Sequence, residues 1–175
     1  MTLIKTILVP HDFSEYADAA LGLAVDLGFS LDADLHLLHV VQPPAYAYSG
    51  ELYGGGPIHN LSDPTDLHRT AQARLREVAS RMTSLGWLRP MDARVVEGTR
   101  ICDVIDDEAE RVRADLIVMG THGRAGLAHL IRGSVAEATL RQAPCPVLTV
   151  PMNRAHFAHA HSETRRSSHV PSGVV

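Results

Sequence analysis

The chain of 175 residues has few cysteines, few aromatic rings, no excess of positive charge and no long hydrophobic run. Each shortage excludes something. The two cysteines, Cys102 and Cys145, stand at no metal or redox spacing, so no disulfide scaffold is expected and both read as small core residues. A net charge of −4 and an aromatic share of 5% leave no electrostatic footprint for nucleic acid and few rings for base stacking. No stretch approaches the roughly 18 apolar residues of a membrane span. The apolar run near the N-terminus is stopped by Pro10, too early for a secretory signal, so the chain reads as cytoplasmic.

What remains is ordinary globular usage, 45% hydrophobic and 21% charged, at a length that suits one domain with a proper core. Five apolar runs predict strands at residues 6–9, 34–41, 92–96, 115–119 and 146–150. Most are continuously rich in Val, Ile and Leu rather than alternating, which is how parallel strands covered on both faces read. Helical periods lie between them. Residues 14–29 carry Ala17, Ala20, Leu21, Ala24 and Leu27 on one stripe that ends at Gly28. Residues 64–85 carry Leu67, Ala71, Leu75, Val78, Met82 and Leu85, with Asp63 as cap, Pro64 in the first turn and Gly86 as the stop. Residues 100–113 and about 134–142 supply two more helices.

A strand before every helix predicts an α/β fold: a Rossmann-like, open, parallel five-stranded sheet with helices on both faces and strand order 3-2-1-4-5. In such sheets ligands bind beyond the carboxyl ends of the strands, where the order reverses. With the first and fourth strands flanking that point, residues 11–14 and 120–133 share one crevice. Residues 42–63, which contain Pro43-Pro44, Tyr46, Tyr48, Gly54-Gly55-Gly56 and Pro57, are expected to form a long mobile connection within a domain of residues 1–152. Residues 153–175, with His156, His159, His161 and His169, are expected to be a disordered tail, and their spacing supports no metal site.

The segment 120–134 carries the most chemistry. After a strand come Gly120-Thr121-His122-Gly123-Arg124, and after nine residues counted from Arg124 stand Gly133-Ser134 at a helix start. Glycines let a backbone approach a ligand closely, successive free amides form an anion nest, and a helix N-terminus favours a phosphate. Arg124 and His122 add charge or hydrogen bonds. A glycine turn followed by a capping box of Ser134 and Glu137 accounts for the same residues, although one helix start has amides to spare for a ligand.

This spacing resembles the ATP-binding signature of the universal stress protein family. Ile7-Leu8-Val9-Pro10-His11-Asp12-Phe13-Ser14-Glu15 is similar to that family's first strand and turn. Leu37-Leu38-His39-Val40 is similar to its second strand, Ala114–Gly120 to its fourth and Cys145–Val150 to its last. The resemblance covers roughly residues 3–151. It implies ATP, with magnesium, as the bound cofactor. It also implies that Asp12 lies at the adenosine end, Pro10 in the adenine wall, the Val40 backbone at the adenine edge and Met119 near the ribose or base. Gly120, Gly123, Gly133, Ser134 and Val135 match its phosphate-binding positions, while His122 and Arg124 fall at variable ones. Asp12 also reads as the N-cap of the first helix, with Glu15 completing a box, and His39 as a satisfied strand histidine rather than a ligand. The last strand, Val147–Val150, is implied to pair with its twin in a homodimer.

The function expected is a nucleotide-dependent stress-response switch with at most weak ATP hydrolysis, because no Walker lysine follows the glycine loop and no base is evident for a γ-phosphate. Two alternatives stand beside it. One is an adenylating enzyme of the same superfamily, with Glu51, His59 and Asp63 as its spare polar residues. The other is a dimeric interaction module that binds AMP, a cyclic nucleotide or nothing.

Overall fold

The computed structural model describes residues 3–42, 64–84, 86–121 and 135–151. Along the chain run β1 (Thr6–Pro10), α1 (Glu15–Leu31), β2 (Asp34–Val41), α2 (Pro64–Ser84), β3 (Met91–Glu97), α3 (Ile101–Val112), β4 (Leu116–Gly120), α4 (Val135–Gln142) and β5 (Val147–Val150). The strands form one sheet in the order β3-β2-β1-β4-β5, and every neighbouring pair is parallel. The expected strand order and direction therefore hold, and the strand bounds shift by no more than one residue at either end. The expected connection falls, for residues 43–63, outside the described residues, as does the tail beyond Pro151.

Alternation along the strands sends side chains to two helical layers. Ile7, Val9, Leu35, Leu37 and Val118 pack with Leu21 and Ala24 of α1 and Leu75 and Val78 of α2. Leu8, Leu38, Ile117 and Met119 pack on the other face with Ile105 and Ala109 of α3 and Ala136 of α4. Helices thus cover both faces, as the unbroken apolar runs require.

Helix α1 does not end at Gly28 as its stripe suggests. It continues to Leu31 and stops at Asp32, whose left-handed backbone (φ 55°) closes the last turn with an N–H donated to the Gly28 carbonyl. Gly28 is instead a packing residue: a Cβ there would lie 2.7 Å from Cη2 of the fully buried Trp87. Gly86 is a true stop, with φ 107° and its N–H donated to the Thr83 carbonyl at 3.1 Å. Asp63, the expected cap of α2, lies outside the described residues.

Candidate functional site

Strand order reverses between β1 and β4, which both start from the middle of the sheet and send their connections to opposite faces. At the carboxyl ends of these strands stand Pro10, the last residue of β1, and Met119 and Gly120, the last two of β4. Pro10 follows Leu8 in the pleat and so lies on the α3/α4 side. Met119 is 5% exposed on that same side, and Val40 and Val135 pack against the same cluster together with Ile101. Four of the sequence-predicted residues are therefore brought to one face, at one end of the sheet.

Val40 holds a particular place. Strand β1 stays in register with β2 only as far as Pro10 opposite Leu38, after which the His11 N–H makes one more bond, to the Leu38 carbonyl at 2.8 Å. Strand β2 continues to Val41, paired with β3 on its other side. Backbone groups point to alternate sides at successive residues, so if the Leu38 carbonyl points toward β1, the Val40 N–H and carbonyl do too. They emerge past the end of β1. A flat heterocycle with one donor and one acceptor on an edge could pair there.

Asp12 sits in the turn beyond β1. Its carboxylate accepts the Ser14 N–H at 3.1 Å and the Ser14 hydroxyl at 2.5 Å. The N-cap of α1 is Ser14, whose Oγ accepts the Ala17 N–H at 3.3 Å, so the reading of Asp12 as N-cap is corrected by two residues. Asp12 braces the cap instead of forming it. His39 is satisfied, as expected: its Nδ1–H donates to the His11 carbonyl at 2.7 Å.

Gly120 has a structural reason of its own. A Cβ there would lie 2.9 Å from Cβ of Tyr16 and 3.0 Å from its backbone, because the first turn of α1 passes directly over the end of β4. Close helix-to-strand approach accounts for this glycine whether or not a ligand comes near it. His122, Gly123, Arg124, Gly133 and Ser134 lie outside the described residues, and with Ser134 goes the proposed capping box. Glu137, its other member, pairs with Arg141 at 2.7 Å.

Sequence reading placed two further residues of this turn in the crevice without giving either a role. His11 and Phe13 flank Asp12 and line a cleft of about 230 Å³ on the α1/α2 side, together with Asp18, Arg74, Glu77, Val78 and Arg81. Nothing in the spacing of His11, in the turn, and Asp18, in the first turn of α1, marked them as partners. The left-handed backbone of Phe13 (φ 63°) had no signal either, since nothing local favours it in phenylalanine.

A model of the universal stress protein family matches residues 3–151. The chain belongs to this family. A universal stress protein of Methanocaldococcus jannaschii is 31% identical over 148 residues, covering 85% of this chain and 82% of its own length. Among solved structures, a universal stress protein in complex with cAMP superposes with a TM-score of 0.64 at 23% identity, covering 85% of this chain and 98% of its own. The Archaeoglobus fulgidus universal stress protein in complex with dAMP gives 0.57 at 23% identity, over 85% and 98%. At that identity the likeness speaks for the fold, which is that of the universal stress proteins. Among the described residues, no helix is long and apolar enough to cross a membrane, and no cluster of three His, Cys, Asp or Glu could hold a metal ion.

Proposed function

We propose that this universal stress protein binds ATP in the crevice between β1 and β4 and serves in the cytoplasm as a nucleotide-dependent stress-response switch, with at most weak hydrolysis. The observation that carries the reading is the backbone of Val40, offered past the end of β1 beside an apolar wall of Pro10, Met119 and Val135. That arrangement suits an adenine ring: its edge needs one donor and one acceptor, and its faces need apolar contact. Asp12, in the turn that follows β1, would lie at the adenosine end. The family's glycine signature, residues 120–134, follows β4 directly and would take the phosphates through backbone amides at the start of α4. Magnesium would ride on phosphate oxygens and water, as it commonly does.

Calorimetry with ATP tests this in wild type and in Gly133→Ala. Affinity in the micromolar range or better is expected for the wild type, with a loss of roughly tenfold or more when the phosphate cradle is crowded. Unchanged affinity in the variant would refute the phosphate assignment. A second reading, an adenine monophosphate at the same site, draws support from the cAMP and dAMP held by the two solved structures of this fold. A monophosphate depends less on Gly133, so equal binding of cAMP by both proteins, tighter than that of ATP, would favour it. We further propose a homodimer through β5. It is an edge strand, and Leu148 on it is 37% exposed. Sedimentation should find a dimer in the wild type and a monomer in Leu148→Asp.

A further inference from the structure

The turn that presents Asp12 is held from the opposite face of the sheet. The His11 ring, 3% exposed, has a partner at each nitrogen: Phe13 donates its N–H to Nδ1 at 3.1 Å, and Nε2 lies 3.2 Å from Oδ1 of Asp18. Because a backbone N–H can only donate, Nδ1 carries the lone pair and Nε2 the proton, which fixes a neutral ring in one tautomer. The His11 backbone is held too, its N–H by the Leu38 carbonyl at 2.8 Å and its carbonyl by His39 Nδ1–H at 2.7 Å.

Phe13 is kept in a backbone conformation that phenylalanine disfavours, φ 63°, two residues from where β1 pairing stops. Its ring explains how. It lies 4.3 Å from the His39 ring and 5.6 Å, edge-on, from that of His11, while the guanidinium of Arg74 sits 4.4 Å above its face. Strand β2, the turn and helix α2 thus converge on one aromatic ring, next to the carboxylate that the nucleotide reading needs.

We propose that His11 and Phe13 are positioning residues for the adenosine end of the site, locking the turn that presents Asp12 through contacts on the α1/α2 face. The inference rests on the nucleotide reading above and adds to it a dependence on acidity. A proton on Nδ1 would remove the acceptor of the Phe13 N–H and set two N–H groups against each other. Burial is the leading influence and holds the His11 pKa below its ordinary value. The Asp18 and Asp12 carboxylates pull it upward, and His39 opposes them. From α2, Arg74, Glu77 and Arg81 line the same cleft, and Arg81 shares the Asp18 carboxylate at 3.2 Å. The lock is therefore closed at neutral pH. It opens only as pH falls through the folded-state value of His11, which lies below the ordinary histidine value of about 6.5.

The test measures ATP affinity of the full chain from about pH 8 to about pH 5 in wild type, His11→Asn and His11→Ala. Asparagine places an uncharged acceptor where Nδ1 stands and can take the Phe13 N–H without titrating. Wild type should weaken on acidification, and His11→Asn should match it at the alkaline end and weaken less. His11→Ala should bind about tenfold more weakly throughout. Equal acid loss in wild type and His11→Asn would overturn the proposal, as would unaltered binding by His11→Ala. Were His11→Ala not to fold, the asparagine comparison still decides. Absence of ATP binding in every protein would refute the nucleotide reading instead. The lock would then be judged by nitrogen-15 spectra of the His11 ring in ligand-free protein. An Nε2–H tautomer with a lowered pKa is expected there, and an Nδ1–H tautomer or an ordinary pKa would overturn it.

Discussion

The two helical layers of the sheet are built differently. On the α1/α2 side the packing is deep: Leu21, Leu75, Trp87, Ile7 and Leu35 are at most 1% exposed, and Gly28 lets the Trp87 ring lie against the helix backbone. The polar groups buried there are the His11 ring and Trp87 Nε1, the latter without a hydrogen-bond partner among the described residues. Among the described residues the cluster on the α3/α4 side is smaller, and a buried carboxylate and a hydroxyl enter it. Glu108, 5% exposed, is held by Arg111 at 2.6 Å and approached by Arg94 at 3.5 Å, and the Thr139 hydroxyl is buried among the described residues without a hydrogen-bond partner. The candidate adenine wall belongs to the α3/α4 layer. Among the described residues the larger apolar cluster lies on the opposite face, and the turn of residues 11–13 is where the two meet.

If the asymmetry is real, mutations should follow it. Leu75→Ala removes a fully buried side chain from the α1/α2 layer and should cost about 2–5 kcal/mol in urea unfolding followed by Trp87, the chain's one tryptophan. Gly28→Ala drives a methyl into the Trp87 ring. Overpacking outweighs the better helix propensity of alanine, leaving a loss of about 1–2 kcal/mol and a changed emission spectrum. On the α3/α4 side the sign should reverse. Thr139→Val replaces a buried hydroxyl that has no partner among the described residues by a methyl of the same shape and should gain about 1 kcal/mol. Destabilisation there would mean that the hydroxyl has a partner and that the layers are more alike than they look.

The smallest effect concerns Asp106 on α3, whose carboxyl is pushed above its ordinary pKa first by burial and then by its neighbours Asp103, Asp107 and Glu110, against a hydrogen bond from Gln142. A carboxyl with a raised folded-state pKa stabilises while protonated, and that contribution is lost as pH rises through the folded value. Asp106→Asn should therefore be slightly more stable than wild type at neutral pH. The gain should vanish below the unfolded carboxylate pKa of about 3.9, as thermal melting across pH would reveal.

Much of this was legible in the sequence. The unbroken apolar runs gave away strands buried on both faces, and Pro64 and Gly86 marked the ends of α2, because propensity, breakers and periodicity are local properties. Reading failed where a distant residue, or a choice between equally suited neighbours, decided the outcome. Gly28 looked like a helix stop because its partner, Trp87, lies 59 positions away across the packed layer, where no window of sequence connects them. Asp12 looked like a cap because three neighbouring residues, Asp12, Ser14 and Glu15, all suit the start of a helix, and only the observed geometry chose Ser14. The candidate site followed the same division: Pro10, Val40, Met119 and Val135 were named from the family resemblance, whereas His11 and Phe13 were placed in the crevice without a role.

Sequence alone determined the elements, their alternation and the glycine segment of residues 120–134, since each is encoded within a few turns of chain. The tertiary structure decided which face each residue serves. It set Gly120 against Tyr16, carried the Val40 backbone past the end of β1 and closed His11 on Phe13 and Asp18. Those outcomes depend on register and on the approach of segments remote in sequence, and a single hydrogen bond or ring contact between such segments leaves no periodic trace in the chain.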